Sequence, residues 1–208
     1  DGSPIRIDHA FSWEHPLSAH GLMHNVITNA VKGDPYRIDT LMIFMANMAW
    51  NSTMNTSEVR KMLNDKHTEG EKAGQYKIPF LVVCDAFQSE MTAFADLILP
   101  DCPYLERWEP ESMPNSLWPW LGVRQPVHPA MGESRENRVM LRDIIHKLDP
   151  DGKRGMKQFW NFKDGEDYMK QHFDGIPGLK EAGGLKFLKE HGCWPIYGKL
   201  DPKSGKVT

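Results

Sequence analysis

Cysteine is scarce. Only Cys84, Cys102 and Cys193 occur in 208 residues, far apart and with no Cys-x-x-Cys pair. Within this chain, that spacing excludes a structural zinc ribbon and a locally encoded iron–sulfur cluster. An odd count at this density argues against a disulfide framework. A dominant charge is missing too: 25 Lys and Arg face 28 Asp and Glu, for a net charge of −3. This balance argues against a general nucleic-acid or polybasic membrane binder. No stretch approaches the roughly 18 uninterrupted apolar residues of a spanning helix. There is no Gly-x-Gly-x-x-Gly and no P-loop, so neither an ordinary dinucleotide fingerprint nor a mononucleotide loop is supported. No internal repeat is present, and Asp1-Gly-Ser-Pro-Ile-Arg6 is no signal peptide.

What is present is a loop-rich chain of 23.8 kDa with 17 Gly and 15 Pro, enough for one large domain or two small ones. Seven Trp and twelve Met suggest large apolar contacts. The ends, Asp1-Gly-Ser-Pro and Asp201-Pro-Lys-Ser-Gly-Lys-Val-Thr208, read as cut, so a piece of a longer protein is expected.

Periodicity places a short helix over Ala19–Val31, with Leu22, Val26 and Ala30 on one face. Residues 38–46 form a nearly continuous apolar run, read as a strand buried on both faces. Asn55 can cap a helix, with Glu58 three residues on, and Val59, Met62 and Leu63 give its apolar face. Residues 78–84 form a second buried strand with Pro79 at its start. Met91–Phe94 makes one helical turn, and Ala95–Pro100 a third strand. This is a βαβ pattern with right-handed crossovers and a parallel sheet. Residues 103–133 are expected to be extended. A helix follows over 134–148, with Leu141, Ile144, Ile145 and Leu148 on one face. Short helices are expected over 166–173 and 185–191, with Gly192 ending the latter. The tail is expected to pack on a neighbouring domain rather than build its own core.

In parallel sheets, ligands sit beyond the carboxyl ends of the strands. Those ends are Asn47–Ser52, Asp85–Glu90 and Pro100–Tyr104. Asp85, with Ser89 and Glu90 within one turn, could hold ring N–H groups or ribose hydroxyls of a nucleotide. The plainer reading is that Asp85 caps the following turn. Asn47, Asn51 and Ser52 sit at the first strand's end, where the same argument applies. His15, His20 and His24 have metal-like spacing, but no carboxylate or Cys completes a set. Their expected role is structural or solvent-exposed. Cys84 reads as an inert buried thiol and Cys102 as a more exposed one. No His stands at a motif distance for thiol catalysis. Glu106 and Arg107 are a candidate ion pair, buried, interdomain or on the surface. These residues nominate no catalytic or metal-ligating group.

One long segment carries a family resemblance. Lys77-Ile-Pro-Phe-Leu-Val-Val-Cys-Asp-Ala-Phe-Gln-Ser-Glu-Met-Thr-Ala-Phe-Ala-Asp-Leu-Ile-Leu-Pro-Asp-Cys-Pro-Tyr-Leu-Glu-Arg107 resembles the third-domain signature of the molybdopterin oxidoreductases, the dimethyl sulfoxide reductase family. Asp85, Ser89, Glu90, Ala95, Asp96, Leu99, Pro100 and Glu106 fall in the pattern. Upstream, Leu41–Ser52 resembles the preceding strand and loop, with Met48 where many members have Pro. Downstream, Val123–Val127 and Gly132–Arg135 resemble the lead into that domain's last helix. Ser-Glu-Met-Thr-Ala-Phe-Ala-Asp with Tyr-Leu-Glu-Arg is similar to the sulfur-compound branch, which holds sulfite dehydrogenase and thiosulfate, polysulfide and tetrathionate reductases.

The resemblance implies an α/β fold with a Rossmann-like parallel sheet flanked by helices, within a larger multidomain chain. It implies residues 1–35 packing on a neighbour, a cofactor-binding domain over 36–148, and a linker over 149–208 leading to an absent domain. It implies two molybdopterin guanine dinucleotides around molybdenum or tungsten and an iron–sulfur cluster in an absent N-terminal part. Asn47, Asn51, Ser52, Asp85, Ser89 and Glu90 would bind one cofactor's guanosine end. Implied partners are the rest of the catalytic subunit, a membrane anchor and an iron–sulfur electron-transfer subunit, in a membrane-associated complex. The competing readings are a non-catalytic Rossmann-like binding or assembly module, and a family enzyme acting on an arsenic or selenium oxyanion.

Overall fold

Val and Leu dominate Phe80-Leu-Val-Val-Cys-Asp85, and this run forms the central strand of a parallel sheet. The computed structural model describes residues 25–34, 36–51, 53, 55–112 and 119–196. The chain divides into two compact units, 1–100 and 101–208.

The first unit runs α1 (Val26–Lys32), β1 (Thr40–Phe44), α2 (Thr56–Leu63), β2 (Phe80–Asp85), a 3-10 turn over Glu90–Phe94, and β3 (Leu97–Pro100). The sheet order is β1-β2-β3. Thr40 lies opposite Phe80 and Phe44 opposite Cys84, while Val82 lies opposite Leu97 and Asp85 opposite Pro100, all in parallel register. Parallel neighbours need a crossover, and α2 supplies the one between β1 and β2. Asn55 caps α2 as expected, its side chain accepting from the Glu58 N–H at 3.2 Å. Val59 and Leu63 then bury against Ile27, Ile43, Leu81, Val83 and Met91.

Of the helix expected over Ala19–Val31, residues 19–24 lie outside the described ones, as do His15, His20 and His24. The described part buries Ile27 fully and ends at Gly33, whose φ of 71° only glycine adopts easily.

Burial on both faces holds for β2 alone, where Leu81, Val82, Val83 and Cys84 are all buried. In β1 only Ile43 is buried, and Phe44 is 43% exposed. In β3, Leu97 and Ile98 are exposed. The reason is position in the sheet: β1 and β3 each have one strand neighbour, and β2 has two.

The second unit contains β4 (Glu109–Ser112), β5 (Trp120–Arg124), α3 (Asn137–Leu148), α4 (Gly165–Asp174), α5 (Leu179–Ala182), α6 (Leu185–His191) and β6 (Cys193–Pro195). Its sheet is antiparallel, in the order β4-β5-β6. The expected extended stretch over 103–133 therefore pairs with itself and with the tail. Trp118 lies outside the described residues.

The tail does build a core, against expectation. Met169, Phe173, Leu179, Leu185 and Leu188 are buried together, with Trp108, Leu121, Val123 and Trp194 packed around them. β6 explains this: Trp194 lies opposite Leu121 and draws the tail helices onto the hairpin. Such long-range pairing leaves no local pattern to read. Asp164 caps α4 by accepting from the Asp167 N–H at 2.9 Å, and Gly192 ends α6 as expected.

α3 starts at Asn137 and buries Met140 rather than the expected stripe. Ile144 and Leu148 are 39% and 52% exposed. Neither core cluster includes that stripe, of which Leu141 and Ile145 are half-buried. No described helix is long and apolar enough to cross a membrane.

Candidate functional site

The carboxyl ends of β1 and β2 are neighbours because the strands are parallel and in register. Two loops leave from there. After β1, Met45 adopts φ 47° and donates its N–H to the Cys84 carbonyl at 2.9 Å, extending the ladder by one bond. The chain then turns at Asn47, whose carbonyl accepts from the Trp50 N–H at 3.0 Å and the Asn51 N–H at 2.8 Å. Arg60 on α2 braces this turn. Its Nε donates to the Ala49 carbonyl at 2.9 Å, and its guanidinium lies 5.6 Å from the Trp50 ring centroid.

After β2, Asp85 organises the second loop. One carboxylate oxygen accepts from the Phe87 N–H at 3.1 Å and the other from the Ser89 hydroxyl at 3.0 Å. The Ser89 carbonyl accepts from the Thr92 hydroxyl at 2.6 Å, which starts the 3-10 turn. The two loops meet where the Asn47 amide N–H donates to the Glu90 carboxylate. That bond, a backbone N–H and the nearby Arg60 charge hold the exposed Glu90 carboxyl below its ordinary value. The Asn47 side-chain oxygen is buried and has no hydrogen-bond partner. A buried acceptor without a donor is costly, so this atom is where a ligand N–H or O–H would be favoured.

Asn47, Asp85, Ser89 and Glu90 thus come together through side-chain hydrogen bonds, and Asn51 joins them through the Asn47 turn. Ser52 lies outside the described residues. The plain reading of Asp85 as a turn cap also holds, through its bond to Phe87. This cap leaves Asp85 able to accept further bonds, because each carboxylate oxygen accepts two hydrogen bonds. Arg60 and Trp50 were not legible as site residues, since only the packing of α2 brings Arg60 to the loop.

Two residues depart from expectation. Cys102 is fully buried, not exposed, and burial pushes its thiol up. Cys84 is buried as expected, and Cys193 is exposed. Arg107 does not pair with Glu106. It pairs with the buried Asp101 at 2.6 Å and with Glu109 at 2.9 Å. Glu106 accepts instead from the Met131 N–H at 3.1 Å. Sequence adjacency suggested the first pairing, but neighbours in a turn point apart. No group of three or more His, Cys, Asp or Glu able to hold a metal occurs among the described residues.

No protein-family profile matches the chain. Individual proteins do. A sulfite dehydrogenase subunit of Allochromatium vinosum is 52% identical over 91% of this chain and 20% of its own length. The thiosulfate reductase molybdopterin-containing subunit PhsA of Salmonella typhimurium is 26% identical over 83% of this chain and 20% of its own length. The assimilatory nitrate reductase catalytic subunit of Bacillus subtilis is 23% identical over 92% of this chain and 24% of its own length. Among solved structures, acetylene hydratase from Pelobacter acetylenicus shares the fold. Its TM-score is 0.60 at 17% identity, covering 89% of this chain and 22% of that one. The chain therefore spans about a fifth to a quarter of the length of these relatives. By these matches it is a homologue of one segment of the molybdopterin oxidoreductases.

Proposed function

We propose that this chain is part of the catalytic subunit of a molybdenum or tungsten bis-pyranopterin guanine dinucleotide oxidoreductase acting on an inorganic sulfur compound. In this reading its parallel-sheet unit binds the guanosine end of one cofactor. The substrate class is supported by 52% identity to a protein named sulfite dehydrogenase and by the match to a thiosulfate reductase.

One observation carries the site: Asp85 and the unpartnered Asn47 oxygen sit together at the carboxyl end of the sheet. The acceptor set fits a guanosine. Each Asp85 oxygen keeps a free lone pair, and a planar carboxylate matches adjacent ring and exocyclic N–H groups. The Asn47 oxygen would accept a further N–H or a ribose hydroxyl. Ser89 and the Phe87 N–H hold the Asp85 carboxylate in place. Glu90 fixes the Asn47 amide through its N–H and leaves the amide oxygen for a ligand. Asn51 belongs to the proposed set from the first loop, and Ser52 is assigned to it from the sequence alone. When bound, the cofactor supplies oxygen-atom or sulfur transfer coupled to electron flow. This chain's residues bind and orient its nucleotide end. Metal ligands, an iron–sulfur cluster, a membrane anchor and an electron-transfer subunit would come from outside the described residues, and membrane association belongs to the same proposal.

The test is elemental and nucleotide analysis of the intact native assembly containing this chain. Stoichiometric molybdenum or tungsten, with guanine nucleotide released on acid treatment, is expected. Turnover of sulfite or thiosulfate, rather than of arsenic or selenium oxyanions, would follow. An intact assembly free of both metals would overturn the enzyme reading and leave a binding or assembly module.

A further inference from the structure

The opposite end of the same sheet carries a second feature, independent of the nucleotide reading. A cavity of about 240 Å³ lies where the chain enters β1 and β2. It is lined by Lys32 and Gly33 at the end of α1, by Arg37 and Asp39 before β1, and by His67, Lys72 and Lys77 before β2. Four permanent cations and an imidazole thus face one carboxylate. Lys77 is partly neutralised by Asp65 at 2.6 Å. Lys32, Arg37 and Lys72 form no ion pair with any described carboxylate. His67 and Lys77 are half-buried, and the other cations reach in from the exposed rim.

Cations gathered with fewer counter-charges repel one another, and the arrangement lowers stability unless something anionic neutralises the excess. A guanidinium beside two ammonium groups is a donor-only array, which suits a compact ion with several acceptor oxygens. The volume admits a tetrahedral inorganic ion with several waters, but is tight for a nucleotide. We infer that this cavity binds a free inorganic oxyanion of the sulfate or phosphate type. Asp39 sets the limit on affinity, since it opposes any anion and leaves room for at most one or two charges. In a water-filled rim, the dissociation constant would be on the order of 1 mM.

The experiment uses the full-length protein. Sodium sulfate is titrated against sodium chloride at constant ionic strength, with calorimetry and the unfolding midpoint as readouts. A saturable heat and a saturable rise in midpoint with sulfate are expected. Arg37→Gln and Lys72→Gln remove exposed side chains without breaking any ion pair, so they should fold normally. Each should weaken sulfate binding roughly tenfold. Lys180→Gln, on the exposed face of α5, should leave it unchanged. Sulfate no better than chloride at matched ionic strength would overturn the inference. So would sulfate binding by Arg37→Gln equal to that of the parent, or a cavity already filled by an acidic segment of the longer chain. AMP binding more tightly than sulfate would overturn the assignment to a free ion.

Discussion

The tail core rests on Phe173. The ring is fully buried on α4 between Met169, Leu179, Leu185 and Leu188. Phe173→Ala removes that ring from a packed site, losing its transfer free energy and leaving a cavity. Together these cost about 3–5 kcal/mol. Phe173→Leu keeps most of the volume and should cost roughly 1–1.5 kcal/mol. Phe159 is the control: it is 76% exposed, and Phe159→Ala should stay within about 0.5 kcal/mol. Urea unfolding followed by tryptophan fluorescence is the assay, because Trp108 and Trp194 pack against this core. For a unit of this size the urea slope is about 1–1.5 kcal/mol per molar, so the Phe173→Ala midpoint should fall by roughly 2–5 M. A Phe173→Ala midpoint no lower than that of Phe159→Ala would mean that the tail is a decoration rather than a core.

Arg107→Met strands the Asp101 carboxylate, whose side chain is fully buried. It should cost about 3–5 kcal/mol in urea unfolding, with Asp101→Asn/Arg107→Met recovering part of the loss; a loss under about 1 kcal/mol would contradict this. Burial pushes the Asp149 carboxyl up, but the backbone N–H groups of Arg154, Lys157 and Met156 outweigh it and hold the group below its ordinary 3.8. A depressed carboxyl stabilises above its unfolded value, and that stability is lost as pH falls through 3.8 and below. Stability against pH should therefore fall less steeply on the acid side in Asp149→Asn, and parallel curves for the two proteins would speak against it. Asn55→Ala removes the α2 cap at Glu58 and should cost about 1 kcal/mol of first-unit stability, read as earlier hydrogen exchange in α2.

Local signals carried much of the first unit. The apolar run at 80–85, the Asn55 cap and the polar loop between α2 and β2 are each decided by residues within a few positions, and all are found in the structure. Asp85, Ser89 and Glu90 were legible for the same reason, since a carboxylate ending a buried strand is a local pattern. Their contact with Asn47 follows from parallel register alone. What could not be read depends on distant partners. The exposure of Phe44 is set by strand order, which the composition of β1 does not encode. Leu121 meets Trp194 across more than seventy residues, and the tail core follows from that pairing. Arg107 chooses Asp101 over Glu106 because Asp101 also accepts the Asn137 N–H at 2.9 Å, at the start of α3. The α3 stripe misled in the other direction, because helical spacing shows an apolar face but not what covers it.

Asp85 is proposed to hold a guanine base. Asp85→Asn keeps the shape and an acceptor for the Phe87 N–H, but turns one oxygen into a donor that faces the base's own N–H groups. The measurement is guanine nucleotide and molybdenum or tungsten content of the full-length enzyme purified with and without this change. A roughly tenfold or greater loss of both is expected, with urea stability within about 1 kcal/mol of the parent. Unchanged nucleotide and metal content in a folded Asp85→Asn enzyme would contradict it.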